Sequence, residues 1–453
     1  MRDVMTYAGH MRAILVLGLP LIGGHLAQFA IGLTDTVMLG WYGVAELAAV
    51  TLASSYFFVL FILGAGFALA VMPMVAAAHA SGDSTSVRRI TRMGLWLSLV
   101  YGVLAMPFMI WAGQILQVLG QSEEVSVLAA SYLRLAGWGV FPALLVMVLK
   151  SYLAALERTQ VVLWITLLAA LTNGLMNYAL IFGNWGAPEL GIVGAAIASV
   201  MTQLVSLVAV VAYAVTALPE HRMFQRFWRP DWEMLGRVFR LGFPIGLTTV
   251  SEVSLFSASA LMMGWLGTIP LAAHGIVVAV ASATFMVHLG LSNVATIRAG
   301  NAYGLQDRTH MARGAVVVTA LSLGFAAVTV AGFLLFPEPV LALFLEADNP
   351  HRAEILTIGV GLLATAALFQ LVDGAQAIAL GMLRGVQDTQ VPMLMAALSY
   401  WVVGIPTSYL LGFTLGLGGV GVWLGLVVGL ACAAVFLMAR FWGQAIGRIG
   451  QLV

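Results

Sequence analysis

Twelve long apolar runs follow one another along the chain, and they restrict its fold more than any other feature. They lie near 13–39, 47–77, 93–113, 127–149, 161–183, 192–217, 234–264, 271–297, 312–336, 353–382, 390–413 and 419–442. A helix needs about 20 mostly apolar residues to cross a hydrocarbon layer about 30 Å thick, since it rises about 1.5 Å per residue. In lipid the backbone must satisfy its own polar groups, so runs of this length are helices. Of the 453 residues, 61% are hydrophobic and only 9% are charged. Soluble domains carry about 25% charged residues, so most of this surface is built for lipid. The expected fold is therefore all-α: a polytopic protein of about twelve transmembrane helices. The first run, from about Ala13, is too long for the core of a cleaved leader and is expected to stay as the first span. Pro20 and Pro244 fall early in long spans, where a missing backbone donor favours a bend.

The basic residues alternate with the spans. Of the 20 lysines and arginines, 18 lie at one set of helix ends, from Arg2 to Arg448, and only Arg134 and Arg352 lie at the other. The opposite ends carry Glu46, Glu123, Glu124, Glu189, Glu338, Glu346 and Asp348. By the positive-inside rule this implies an even number of spans with both termini in the cytoplasm, in a plasma membrane of the bacterial inner-membrane type. The net charge of +1 argues against a nucleic-acid partner. The single cysteine, Cys432, excludes an internal disulfide and a thiolate metal site, and reads as a small core residue.

The chain is also duplicated. Leu17 to Asp83 aligns without gaps on Leu241 to Asp307 at an offset of 224. LGLP at 17–20 meets LGFP at 241–244, Leu47-Ala48-Ala49 meets Leu271-Ala272-Ala273, and Asp83 meets Asp307. Later, Thr159-Gln160-Val161 resembles Thr389-Gln390-Val391. Two halves of six spans start on the same membrane side, which makes them parallel repeats. The expected organisation is an N-terminal lobe (1–217), a basic linker (218–233) and a C-terminal lobe (234–453). Halves of this kind can rock about a central site, as alternating access requires.

Of 19 acids, 16 lie in loops or at span ends, whereas Asp35, Glu252 and Asp373 lie inside spans. An ionised carboxylate at mid-bilayer costs about 2.5–3.5 kcal/mol on insertion scales and usually has a functional reason to be there. The span boundaries put no lysine or arginine at comparable depth. The three acids are therefore expected to hold protons, metal cations or cationic substrates. At the repeat offset Glu252 falls on Gln28, and Asp35 falls on Ser259. Positions seven apart share a helix face, so Gln28/Asp35 and Glu252/Ser259 form equivalent polar stripes. Asn173 and Asn177, one turn apart, can solvate a cation or carboxyl near Asp35, with Thr202 and Gln203 on the next span. Gln370 and Gln376 flank Asp373. Each amide can equally serve as glue between helices. His288, mid-span, is either a proton relay or a neutral histidine bonded to a neighbour. Met and aromatic side chains, Phe285 and Phe369 among them, suit a pliable pocket for flat cations. No ATP-binding loop, HExxH or GxSxG is present, so no enzyme is expected.

These motifs resemble the MATE family of multidrug and toxin extruders, in its NorM-like branch, over essentially the whole chain. The residues that carry the likeness are LGLP followed by Gln28 and DTVMLG at 35–40, LGFP followed by Glu252-Val253, and AAH at 272–274. TIRAG at 296–300, FQLVDGAQ at 369–376 and GMLRGVQD at 381–388 complete it. The resemblance implies an antiporter that exports organic cations, often aromatic, in exchange for Na⁺ or H⁺, with no bound cofactor. It implies coupling acids at Asp35, Glu252 and Asp373, Na⁺ held by Glu252 and Asp373, and first-lobe ligands at Asn173 and Asn177. Phe369 stands where the branch can carry a tyrosine, which removes a possible cation ligand and leaves proton coupling open. His288 stands where proline is expected, which leaves the shape of the eighth helix open. The other implied partner is the bilayer, and a monomer is the working expectation. The alternative function on this scaffold is a flippase for lipid-linked saccharides, which would want a basic cavity.

Overall fold

The computed structural model describes residues 5–345 and 349–449; Arg2, Glu346 and Asp348 lie outside the described residues. Among the described residues every regular element is a helix. Twelve helices are long and apolar enough to cross a membrane. They are α1 (Tyr7–Tyr42), α2 (Val44–Ala80), α3 (Ser84–Ile110), α4 (Glu123–Ala155), α5 (Thr159–Phe182) and α6 (Ile192–Ala217). The second set is α7 (Trp232–Leu266), α8 (Thr268–Leu305), α9 (Arg308–Leu335), α10 (Arg352–Gly385), α11 (Gln390–Thr414) and α12 (Gly418–Arg448). α1 and α7 remain helical through Pro20 and Pro244. α8 runs unbroken past His288 for 38 residues, which answers the question of its shape. Cys432 is half-buried rather than in the core.

The duplication is visible in the backbone. Asp83 and Asp307 occupy the same place, ahead of α3 and α9, and each accepts a hydrogen bond at 2.9 Å from a backbone N–H three residues on. The residues before them, Gly82 and Gln306, are both left-handed, at φ +78° and +53°. Glu157 and Gln387, ahead of α5 and α11, are left-handed as well, at φ +62° and +61°. Left-handed backbone costs a non-glycine residue about 1–2 kcal/mol, so its recurrence at matching turns reflects a common template.

Packing gathers the chain into two compact units whose limits cross the sequence halves. Gly23–Gly246 form one unit; the residues up to Ile22, with those from Leu247 on, form the other. The chain changes unit inside α1 and inside α7, a few residues past Pro20 and Pro244. The contacts explain this. A Cβ on Gly66 of α2 would lie 2.4 Å from the Gly242 carbonyl oxygen and 2.5 Å from the Gly246 nitrogen, so the start of α7 meets α2 backbone to backbone. In the other unit, a Cβ on Gly290 of α8 would lie 3.0 Å from the Ile22 Cα. Small residues that admit such approach are the usual contact between helices in lipid.

The segment between α6 and α7 is strapped onto the first of these units. The Arg89 guanidinium donates to Asp231 at 2.5 and 3.2 Å and to Glu233 at 3.2 Å. Arg92 donates to the carbonyls of Gln225 (3.4 Å), Arg226 (3.1 Å) and Arg229 (3.1 Å). The Trp96 indole donates to the Phe227 carbonyl at 2.9 Å and stacks on its ring. Tyr152 and His221 share a hydrogen bond of 2.5 Å.

Two outcomes follow from these contacts. Gly66→Ala should destabilise the protein by about 1–3 kcal/mol, whereas Gly32→Ala, with open space around its Cβ, should change stability by no more than about 1 kcal/mol; thermal melts in detergent distinguish the two. The Arg89 guanidinium holds the Asp231 carboxyl below the usual carboxylate range. Its folded pKa therefore lies under the unfolded value of about 3.9, so the stabilisation is present above that pH and is lost as pH falls further. The difference in melting temperature between wild type and Asp231→Asn should shrink below about pH 4.

Candidate cation-binding sites

The three intramembrane acids fall in different units. Asp35 belongs to the unit Gly23–Gly246, and Glu252 and Asp373 belong to the other.

Around Asp35, α5 supplies two buried asparagines one turn apart. The Asn173 and Asn177 amides both donate to Asp35 Oδ1, at 2.9 and 2.5 Å. Asn177 also donates to the Asn173 oxygen at 3.3 Å, and its own Oδ1 is buried without a partner. Two donors on one carboxylate oxygen take the place of water. An amide turned by half a rotation offers C=O in place of N–H, so the same pair can equally face a protonated carboxyl or a cation. Tyr132 on α4 lies close enough to interact with Asp35, a neighbour that sequence reading missed. The remaining expected residues differ in placement. Thr202 is buried and donates to the Ala198 carbonyl on its own helix at 2.8 Å. Gln28 is exposed on α1, and Gln203 is half-buried.

In the second unit the acids interact with each other. Asp373, 3% exposed on α10, lies close enough to Glu252 on α7 for the two charges to interact. Gln376 is within hydrogen-bonding reach of Glu252, and its amide donates to the Tyr400 hydroxyl. Asp373 Oδ1 and the Oε1 atoms of Gln370 and Gln376 are buried acceptors without partners. Buried oxygens in this state are rare, because an unmet acceptor costs about 1–3 kcal/mol. Water, a proton or a cation can each meet them. Tyr400 sits in a π-helical turn, Ser399–Gly404, inside α11. Such turns cluster at functional sites.

One expectation needs correcting. Sequence spacing put no basic group near the acids, yet Arg384 is close enough to Glu252 to attract its charge. The residue lies one short of the end of α10 and is half-buried. Among the described residues the two do not form an ion pair, and none of the ion pairs engages any of the three acids. In the Asp35 unit Lys150, half-buried, donates to the Thr166 hydroxyl at 2.8 Å.

The other expected residues are placed as follows. Ser259 is fully buried and donates to the Phe256 carbonyl at 2.7 Å. Gln370 donates to the Ala281 carbonyl at 3.3 Å. Phe369, 1% exposed, packs edge-on against Phe256 and Trp423, and Trp423 donates to His274 at 3.1 Å. Phe285 is half-buried. His288 shares a 2.8 Å hydrogen bond with Ser322 and packs edge-on to Phe325, while its Nε2 is buried without a partner. Among the described residues no group of three or more His, Cys, Asp or Glu could hold a metal ion. Any metal here would rest on two carboxylates supplemented by amide and hydroxyl oxygens.

The family signature described as MatE matches residues 20–179 and 244–410, once in each half of the duplication and across Asp35, Glu252 and Asp373. The chain belongs to the MatE family. A probable multidrug resistance protein NorM of Rhizobium meliloti (strain 1021) is 49% identical over 440 residues, covering 96% of this chain and 94% of that one. Its counterpart in Agrobacterium fabrum (strain C58 / ATCC 33970) is 44% identical over 438 residues, with the same coverage. A crystal structure of MATE in complex with MaL6 superposes with a TM-score of 0.88 over 97% of each chain at 22% identity, which establishes the fold. As a MatE protein the chain is a multi-pass membrane protein with twelve spans, in a family of multidrug efflux transporters that are not enzymes.

The two asparagine donors and the Thr202 hydroxyl predict different outcomes. Asn177→Ala removes the 2.5 Å donor to Asp35 and should slow transport at least about tenfold, as the loss of a hydrogen bond to a charged group would. Thr202→Val removes a hydroxyl that serves its own helix and should leave transport within about twofold. Dye efflux from proteoliposomes, normalised to protein content, measures both.

Proposed function

We propose that this MatE protein is a secondary antiporter that exports organic cations from the cytoplasm in exchange for Na⁺ or H⁺. The observation that carries the reading is the buried Asp373 oxygen without a partner, close to a second carboxyl on Glu252. Two like charges held together in a low-dielectric interior repel, and a cation or proton relieves them. The organic cation and the coupling ion then compete for the same negative charge. Uptake of the ion neutralises the carboxyls and weakens their hold on the substrate, which leaves. Loss of the ion on the other side restores the charge for the next substrate. The coupling is electrostatic and reciprocal: whatever factor the ion takes from substrate affinity, the substrate takes from ion affinity. Glu252 and Asp373 would hold the coupling ion, with Asp35 as a second acidic position. Gln376 and Tyr400 add oxygen atoms to the same set, which suits Na⁺ as well as a proton. Phe285, half-buried, offers a ring face to flat cations, where a desolvated cation–π contact is worth about 2 kcal/mol, whereas Phe369 is enclosed by Phe256 and Trp423.

A one-for-one exchange of monovalent cations moves no net charge and gains nothing from the membrane voltage, which is worth about 2.3 kcal/mol per charge per 100 mV. Accumulation that follows voltage would mean more than one coupling ion per substrate. The inner membrane of a bacterial-type cell, with both termini cytoplasmic, is the orientation that the arginine asymmetry supports.

The flippase reading would build on Lys150 and Arg384. Lys150, however, is hydrogen-bonded to Thr166, and Arg384 is drawn to Glu252. Neither is set aside for a phosphate.

Dye-loaded proteoliposomes under separately imposed Na⁺ and pH gradients test the proposal. One gradient, or both, should drive efflux, and Glu252→Gln should abolish the ion-driven part. Wild-type rates in that variant, or efflux indifferent to both gradients, would refute it.

A further inference from the structure

The strap between α6 and α7 presents an unusual surface. Arg222, Arg226 and Arg229 are exposed on it, and among the described residues none of the ion pairs engages them. Beside them stand Trp228, 75% exposed, and Trp232, 74% exposed. Two of the arginines, Arg222 and Arg226, lie in left-handed backbone at φ +41° and +54°. The strap is not a loose tether. Arg92 binds the carbonyls of Arg226 and Arg229, and Trp96 binds that of Phe227, so the backbone is fixed from below while the guanidinium groups stay exposed. Arg237 and Arg240, also exposed, continue the positive charge along the start of α7.

Exposed tryptophan and arginine side by side are matched to the headgroup layer of a membrane. The indole places its apolar body among acyl chains and its N–H among headgroups. The guanidinium fork fits phosphate oxygens two at a time. Both ends of the strap continue into membrane spans, so it lies where headgroups lie. The fixed backbone means that little ordering entropy is lost on contact. We propose that this strap is a binding surface for anionic phospholipid headgroups, with Arg222, Arg226 and Arg229 on the phosphates and Trp228 and Trp232 seated in the headgroup layer.

The test is tryptophan quenching in lipid nanodiscs. The protein has 12 tryptophans, so the strap's share of the emission is taken as the difference between wild type and Trp228→Phe/Trp232→Phe. Brominated phosphatidylglycerol and brominated phosphatidylcholine are supplied in equal amounts as quenchers. The strap emission should be quenched roughly tenfold more effectively by the anionic lipid, and high salt should reduce the preference. Arg222→Gln/Arg226→Gln/Arg229→Gln should abolish the preference while leaving the detergent melting temperature unchanged. If the triple variant does not fold, the single variants and the salt titration of the wild type decide the question. Equal quenching by the two lipids, or a preference that survives removal of the arginines, overturns the proposal. So does a preference fully displaced by inorganic phosphate, which would mark a site for free anions rather than for a bilayer.

Discussion

A carboxylate inside hydrocarbon has no water to share its charge, and every one must be given donors, a proton or a cation by the protein itself. The two units meet this demand in opposite ways. Asp35 receives two amide donors on one oxygen, a local solvent made of Asn173 and Asn177. Asp373 receives no donor on Oδ1 and has another acid, Glu252, within reach of its field. The first arrangement meets a carboxyl oxygen with two donors, whereas the second leaves an oxygen unmet.

The duplicated backbone makes the contrast sharper. Left-handed residues recur at the turns before α3 and α9 and before α5 and α11, and aspartates sit in the same place ahead of α3 and α9. Scaffold features have been kept in register while the polar side chains have diverged: Asp35 faces a serine across the repeat, and Glu252 faces a glutamine. The π-helical turns of α11 belong to the second half, where α5, its repeat mate, is regular α-helix. Close approach between Gly404 and Gly429 brings α11 against α12 in that region. Tyr400, carried by the first of these turns, accepts a hydrogen bond from Gln376.

Hydropathy and charge are local properties, which is why the twelve spans, the duplication and the three acids could be read from residue order. The Asn173–Asn177 pair was also legible, since a one-turn spacing on a helix fixes a shared face. Arg384 was not: a long side chain at a helix end can turn either way, and only its tertiary neighbours decide. Tyr400 and Tyr132 were lost among many aromatic residues in apolar spans. Ser259 and Thr202 carried a polar label but donate to carbonyls of their own helices, a common fate of hydroxyls in membrane helices that composition does not reveal. The unit limits at Ile22 and Gly246 were hidden because they depend on glycines meeting backbone far away in the chain.

That arrangement bears on how the protein is made. Translation delivers the first turns of α1 long before α8, the helix whose Gly290 admits Ile22. Until then this leading stretch has lipid or the insertion machinery for company. The other unit closes only when residues as far as Gly246 have left the ribosome, after α2 to α6 are complete. A ribosome stalled in the linker would thus expose one body still lacking its half of α7, beside a stretch up to Ile22 whose partners are not yet made, and quality control in the membrane would meet small-residue grooves as its mark of immaturity.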